Sequence, residues 1–133
     1  MPTVTDDRPI TSPTTLGGAL LTAIAGRDPA ALAAVLAPDV WCRALVVREM
    51  IEVHTAQATV ALFDGWFNHA RDLEVLRLAA YPVASREHVS YRFRLRPDWA
   101  PQTWHVIEQS GYVRVHEGRV RRLDLTCTGF IPE

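Results

Sequence analysis

The chain has no lysine: all fourteen of its basic residues are arginine. Against fifteen acidic residues this leaves a formal net charge of −1, far from the strong basic bias of a general nucleic-acid binder. No physical rule demands an arginine-only surface, so together with the abundant alanine this reflects base composition in a GC-rich, bacterial genome. Cysteine is scarce. Cys42 and Cys127 stand far apart with no CxxC spacing, the pattern of reduced thiols in a cytoplasm and not of a disulfide framework. No apolar run approaches the roughly 20 residues that span a bilayer. The start, MPTVTDDRPITSP, lacks the basic and apolar regions of a secretory signal. Among His54, His69, His88, His105 and His116 there is no HxH or HExxH spacing. His105 and Glu108, three apart on a strand, fall on opposite faces, so neither a metal nor another cofactor is expected. Repeats and low-complexity segments are absent too.

What is present suits one globular domain. Nearly half of the 133 residues are apolar, and at this length folding hides about two-thirds of the unfolded surface. Residues 1–11 are polar and without period, the pattern of a flexible arm, and residues 12–133 form the domain. Ser12 followed by Pro13 signals a helix start, and Leu16, Leu20, Ala23 and Ile24 continue at helical spacing until Gly26. Asp28 and Pro29 repeat the signal for a second helix carrying Leu32, Val35 and Leu36, stopped by Pro38. Val40 to Val47 reads as a strand, Arg48 to Met50 as a turn, and Ile51 to Val53 as the partner. Thr55 caps a third helix, Ala56 to about Ala70, with Val60, Phe63, Phe67 and Ala70 on one face and Asp64 and Trp66 at its borders.

Three or four strands follow in meander order, over Leu73 to Tyr81, His88 to Arg96, Thr103 to Val115 and Arg119 to Thr128. The first two join through Pro82 and Ser85–Arg86–Glu87, and a loop from Pro97 to Pro101 carries Trp99. His116, Glu117 and Gly118 turn the last hairpin. Helices first and then antiparallel strands make an α+β domain. Period-two alternation sends Tyr91, Phe93 and Leu95 inward and Arg92, Arg94 and Arg96 outward. It also turns in His105, Ile107, Gln109, Gly111, Val113 and Val115, then Leu123, Leu125 and Cys127, with Val120 if a bulge intervenes. On the first strand Val40, Cys42 and Ala44 face in, leaving Trp41 and Arg43 outside.

The segments VLAPDVWCRAL, VALFDGWF and GYVRVHEGRVRRLDLTCTGF make the chain resemble the SnoaL-like branch of the nuclear transport factor 2-like superfamily, from about Leu16 to Phe130. That resemblance implies three N-terminal helices packed on a strongly curved, mostly antiparallel sheet, leaving a cone-shaped cavity. It also implies a small-molecule site without dictating a reaction. Ketosteroid isomerase shares the fold, and its catalytic tyrosine and two aspartates would thread onto Leu20, Ala44 and Gly111, none able to do that chemistry. SnoaL-like cyclases pair a carboxylate with a His or Asn donor, which would here be Asp64 and His105. The Asp–Arg–Asp cluster of limonene epoxide hydrolase has its nearest counterpart in Arg43 with Asp124, in the opposite strand registers only.

The expected lining is apolar with few polar groups: Phe63, Phe67, Phe93, Ile107, Leu123, Leu125, Cys42 and Cys127 as walls, Gln109 as bridge or ligand clamp. His105, Asp64 and Tyr91 are the catalytic candidates. Imidazole exchanges protons near neutral pH, a half-buried carboxylate can act as base, and a phenol can hold an oxyanion. Each also has a plain structural reading, as a strand-end histidine, a solvated helix carboxylate and a core aromatic. The function this supports is cofactor-free acid–base chemistry, a cyclisation, isomerisation or dehydration, on a hydrophobic, carbonyl-bearing, polyketide-like metabolite. The alternative is a non-catalytic ligand-binding or dimeric accessory domain. Outward arginines with Glu74, Glu108 and Asp124 at hand, and Trp41 and Tyr112 beside them, suggest a salt-bridged outer face that joins two copies in a homodimer.

Overall fold

The computed structural model describes residues 15–133, so the arm and the Ser12–Pro13 signal lie outside the described residues. The first helix, α1 (Leu16–Ala25), is capped by Thr15, whose hydroxyl accepts the Gly18 N–H at 3.0 Å. Helix α2 (Pro29–Val35) starts as its sequence dictates, with Asp28 Oδ1 accepting the Ala31 N–H at 3.1 Å. Helix α3 (Ala56–Phe63) is capped by Thr55 and passes directly into a π-helical turn, Asp64–Asn68, ending just short of Ala70. Seven strands complete the described residues: β1 (Leu36–Val46), β2 (Glu49–Val53), β3 (Leu73–Val83), β4 (Arg86–Leu95), β5 (His105–His116), β6 (Arg119–Cys127) and β7 (Ile131–Pro132).

These strands form one sheet in the order β2-β1-β6-β5-β4-β3, with β7 pairing the start of β5. Every pairing is antiparallel except β1 with β6, which brings the N-terminal hairpin beside the C-terminal one. Three helices over a mostly antiparallel sheet is the α+β architecture that the sequence suggests. Local boundaries shift where a strand partner outweighs a local stop signal. Leu36 is not helical: it is extended and pairs with Val120, so β1 begins there and contains Pro38. The register slips between Leu36 and Trp41, where a residue without an N–H has no bond to give.

The turns are also tighter than their composition implies. Val46 pairs with Glu49, so the first hairpin closes on Val47 and Arg48, and Glu49 and Met50 belong to β2. Val83 pairs with Arg86, which leaves Ala84 and Ser85 as the turn and puts Pro82, Arg86 and Glu87 in strands. In the last hairpin His116 pairs with Arg119, and Glu117 and Gly118 both take positive φ, 52° and 75°. This is the two-residue turn whose twist matches its strands.

The core lies between the helices and the inner face of the sheet. Leu20, Leu21 and Ile24 of α1 and Phe63 and Phe67 of the third helical segment cover Val40, Cys42, Ala44, Tyr91, Phe93, Leu95, Ile107, Leu123 and Leu125. Each large apolar side chain so buried contributes roughly 1.5–3 kcal/mol. The expected bulge is present: Arg114 pairs with Arg122 and Val115 with Val120, so Arg121 is the extra residue and Val120 turns in. Val115 departs from expectation. It sits at the hairpin end, past the core, and is about half exposed.

Candidate functional site

Adjacent strands align the inward polar residues into one strip. Leu95 stands opposite His105, Phe93 opposite Ile107 and Tyr91 opposite Gln109, while Cys127 flanks Gln109 from β6. Over this strip lies the π-helical turn, whose Phe67 packs edge-on against Phe93, centroids 5.2 Å apart, and against Tyr91 at 6.4 Å. His105, Tyr91, Gln109, Phe93, Ile107, Phe67, Phe63, Leu123, Leu125 and Cys42 are thus gathered in the buried interior, with Cys127 partly buried at its edge.

At its centre the Tyr91 hydroxyl donates to Gln109 Oε1. The other end of the amide is left over: Gln109 Nε2 is buried and has no hydrogen-bond partner. An unsatisfied buried donor costs roughly 1–3 kcal/mol, which makes this the most costly polar feature of the strip. Burial, with the fields of Cys127 and Cys42 acting the same way, pushes the Tyr91 phenol well above its ordinary range. Tyr91 is therefore a donor and not a base. Burial and then the charge of Asp124 push the Cys42 thiol up to about 12, with the Thr59 hydroxyl pulling the other way, which rules it out as a nucleophile at neutral pH.

His105 occupies the end of the strip, only 4% exposed. Its Nδ1 lies 3.0 Å from the Thr103 carbonyl, which can only accept, so Nδ1 carries the proton. In the tautomer with one ring proton, that leaves Nε2 as the acceptor. Trp99 stands edge-on over this ring at 5.1 Å and over Phe130 at 5.9 Å, so the loop after β4 covers this end of the strip.

Asp64 is not brought to the strip. It is the first residue of the π-helical turn, partly exposed, where it accepts from Asn68 Nδ2 at 2.9 Å and lies 3.4 Å from His69 Nε2. It lines a crease between the three helices with Arg27 and Asp28, and this crease holds only about 10 Å³. The carboxylate–histidine pair that the resemblance implies is not assembled here. The hollow interior is corrected as well: Tyr91, Phe93, Ile107, Leu123 and Gln109 are each at most 1% exposed, whereas a side chain lining a water-sized void would keep accessible surface.

Glu87 escaped the sequence reading. It turns inward at the start of β4, where its Oε1 accepts the Gly17 N–H in the first turn of α1 at 2.9 Å. A Cβ at Gly17 would meet the carboxylate carbon at 2.4 Å, so a larger residue there would have to displace the Glu87 side chain. The alternation Glu87–Val89–Tyr91 was the signal available. Gly111 marks another close approach, since a Cβ would lie 1.7 Å from the Asp124 carbonyl oxygen. Arg43 and Asp124 do meet, at 2.9 Å, but on the outer face, where Arg122 joins them at 2.8 Å. Arg92 pairs with its cross-strand neighbour Glu108, and Arg94 with its cross-strand neighbour Glu74 and with Glu133. Among the described residues no three His, Cys, Asp or Glu side chains converge as a metal site would need.

No protein-family model matches the sequence, and no curated protein matches it. Solved structures do. A candidate polyketide cyclase from Pseudomonas putida superposes with a TM-score of 0.65 at 20% identity, over 89% of this chain and 90% of its own. Another, from Xanthomonas campestris pv. campestris, gives 0.66 at 17% identity over 84% and 86%. A hypothetical protein of ketosteroid isomerase-like fold from Catenulispora acidiphila, in complex with trimethylamine, gives 0.65 at 14% identity over 88% and 85%. Identities this low establish the architecture: the chain has the nuclear transport factor 2-like fold. Fold alone does not carry a reaction.

Proposed function

We propose that this chain is a small-molecule enzyme whose site is the inner strip from His105 to Gln109, acting without a cofactor on a hydrophobic, carbonyl-bearing metabolite. The observation that carries this reading is the buried, unpartnered Gln109 Nε2 beside the protonated Tyr91 hydroxyl. A substrate carbonyl entering there would satisfy the amide, and charge developing on its oxygen would meet donors already oriented in a dry site. His105, with Nδ1 held by the Thr103 carbonyl, offers Nε2 as the proton acceptor. Four residue steps of extended strand lead from His105 to Gln109, roughly 13 Å between Cα atoms. The substrate must therefore be elongated, as a polyketide-like chain is, with its carbonyl at one end and its acidic C–H toward the other. Cyclisation, isomerisation and dehydration all fit this layout, and because the strip is closely packed, entry requires both that Trp99 swing away from His105 and that the helical side chains over the strip part from the sheet.

A second reading, a ligand-binding domain without turnover, is favoured by the closely packed interior and the distance of Asp64 from it. The test exposes wild type, His105→Phe and Gln109→Leu to a hydrophobic metabolite extract of the source cells, followed by chromatography and native mass spectrometry. A compound transformed by wild type and not by His105→Phe supports the enzyme. Normal turnover by that variant would remove His105 from the chemistry, and retention without change by both would favour the binding domain.

The same reading extends to assembly and location. Trp41, Leu45, Met50, Tyr81 and Tyr112 are exposed on the outer face, which supports a homodimer formed through that face. Sedimentation equilibrium should find a dimer that Leu45→Glu dissociates; a wild-type monomer at micromolar concentration would refute it. Among the described residues no helix is long and apolar enough to cross a membrane, and the two free thiols suit a cytoplasm. Fractionation of source cells would test that.

A further inference from the structure

The outer face holds a second polar feature that the inner site does not use. Arg114 stands directly opposite Arg122 across β5 and β6. Arg86, one residue beyond the Glu87–Val113 pair, extends the row onto β4. Like charges directly opposite on a sheet repel, so three arginines in a cross-strand row are unfavourable unless something negative lies among them. The carboxylate present, Asp124, is already shared by Arg122 at 2.8 Å and Arg43 at 2.9 Å. Among the described residues the side chains of Arg86 and Arg114 make no hydrogen bond or ion pair, and both residues are exposed.

These residues enclose a groove. Arg43, Arg86, Arg114, Arg122, Tyr112 and Asp124 line a space of about 320 Å³, four guanidinium groups to one carboxylate. Arg122 is braced from the side by Trp41, whose ring centre lies 4.6 Å from its guanidinium carbon. Guanidinium groups approaching from four strands match the several oxygens of a compact, multiply charged oxyanion better than a single carboxylate. The volume exceeds that of the anion alone, and the Tyr112 side chain borders what remains.

We propose that this groove is a binding site for a phosphoryl group, with Arg86 and Arg114 as its principal ligands and Tyr112 bordering the space where an ester substituent would lie. The source of that phosphoryl group is either a free phosphate or pyrophosphate, or a small phosphate monoester.

The test is isothermal titration of the full chain, in buffer free of phosphate and sulfate and at constant ionic strength, with inorganic phosphate, pyrophosphate and phenyl phosphate as separate probes. One saturable site per chain is expected for at least one probe. Arg114→Gln and Arg86→Gln should each weaken it by about tenfold or more, since losing a hydrogen bond to a charged group is worth at least that factor. Arg71→Gln, an exposed arginine that does not line the groove, should leave affinity unchanged. Tighter binding of phenyl phosphate than of the inorganic ions assigns the site to a monoester, and the reverse assigns it to a free oxyanion; both uphold the proposal. No saturable binding by any probe overturns it, as does equal weakening by Arg71→Gln. It is also overturned if Arg86→Gln and Arg114→Gln alter sedimentation while phosphate affinity stays the same, because the row would then serve a contact between copies. None of these outcomes bears on the inner strip, whose test is turnover.

Discussion

On the inner face of the sheet Tyr91, Phe93 and Ile107 have almost no surface left. On the outer face, one residue along, Arg92, Arg94 and Glu108 reach into solvent and pair across strands at about 3 Å or a little more. The same strands make both, because successive side chains point to opposite sides. The energetics differ sharply. Burial and close packing hold the inner face, and a single unpaired amide there matters, whereas exposed ion pairs contribute little and are easily exchanged for other partners. The inner face therefore leaves Gln109 Nε2 and Glu87 Oε2 without partners in an otherwise closely packed core, whereas the outer face carries exposed charges, among them Arg86 and Arg114, in contact with solvent.

Substitutions can break this contrast in graded steps. The largest effect is expected for Gly111→Ala, since its Cβ would lie 1.7 Å from a backbone oxygen that cannot swing aside. Its cost should exceed the roughly 1–3 kcal/mol of ordinary overpacking, and urea unfolding should find little native protein. Next is Phe67→Ala, which removes a ring packed on Phe93, Tyr91 and Phe63 and should cost about 3–5 kcal/mol in the same assay.

The unpaired amide invites a double-mutant cycle. Tyr91→Phe alone strands both ends of Gln109 and should destabilise by about 1–3 kcal/mol; Tyr91→Phe with Gln109→Leu removes both polar partners and should lie close to wild type. If the double variant is no more stable than Tyr91→Phe, the orphaned amide is not the cost assigned to it.

The smallest effect belongs to the outer face. Burial opposes the charge on Asp124, but hydrogen bonds from Arg122 and Arg43 together outweigh it and hold the carboxyl below its ordinary value of 3.8. A carboxylate lowered in the folded state adds stability that is present above its unfolded value and is lost as pH falls through its folded value. Stability should thus fall as the pH drops below about 4 in wild type and fall less in Asp124→Asn. With side chains 31–40% exposed, the difference should stay below about 1 kcal/mol. A steeper acid dependence in the variant would contradict the pairing.

Much of this contrast is legible in the sequence. Alternation placed Tyr91, Phe93 and Leu95 inside and their arginine neighbours outside, and the same count put Cys42 and Ala44 within the core. Boundaries were less legible. Pro38 reads locally as a helix stop, yet Leu36 is extended because Val120, more than eighty residues away, is its sheet partner. Asp64 sits at the border of an apolar helical stripe, and only the π-helical turn and its bonds to Asn68 and His69 show that it belongs to the helical surface. Glu87 looked like a turn residue because its partner, the Gly17 N–H at the start of α1, is seventy positions upstream.

The sequence by itself determined the order of helices and strands, which residues face inward and which turns can close. Those properties follow from periods of 3.6 and 2 and from the conformational limits of Gly, Pro, Asp and Thr, all local to the chain. Only the tertiary structure decided that β1 runs parallel to β6, that Tyr91 saturates one end of Gln109 and leaves the other bare, and that Arg86, Arg114 and Arg122 fall into one row. Each of these depends on strand register between distant segments. Register is set by the sum of all side chains packed across the sheet, and no single stretch of the chain contains that sum.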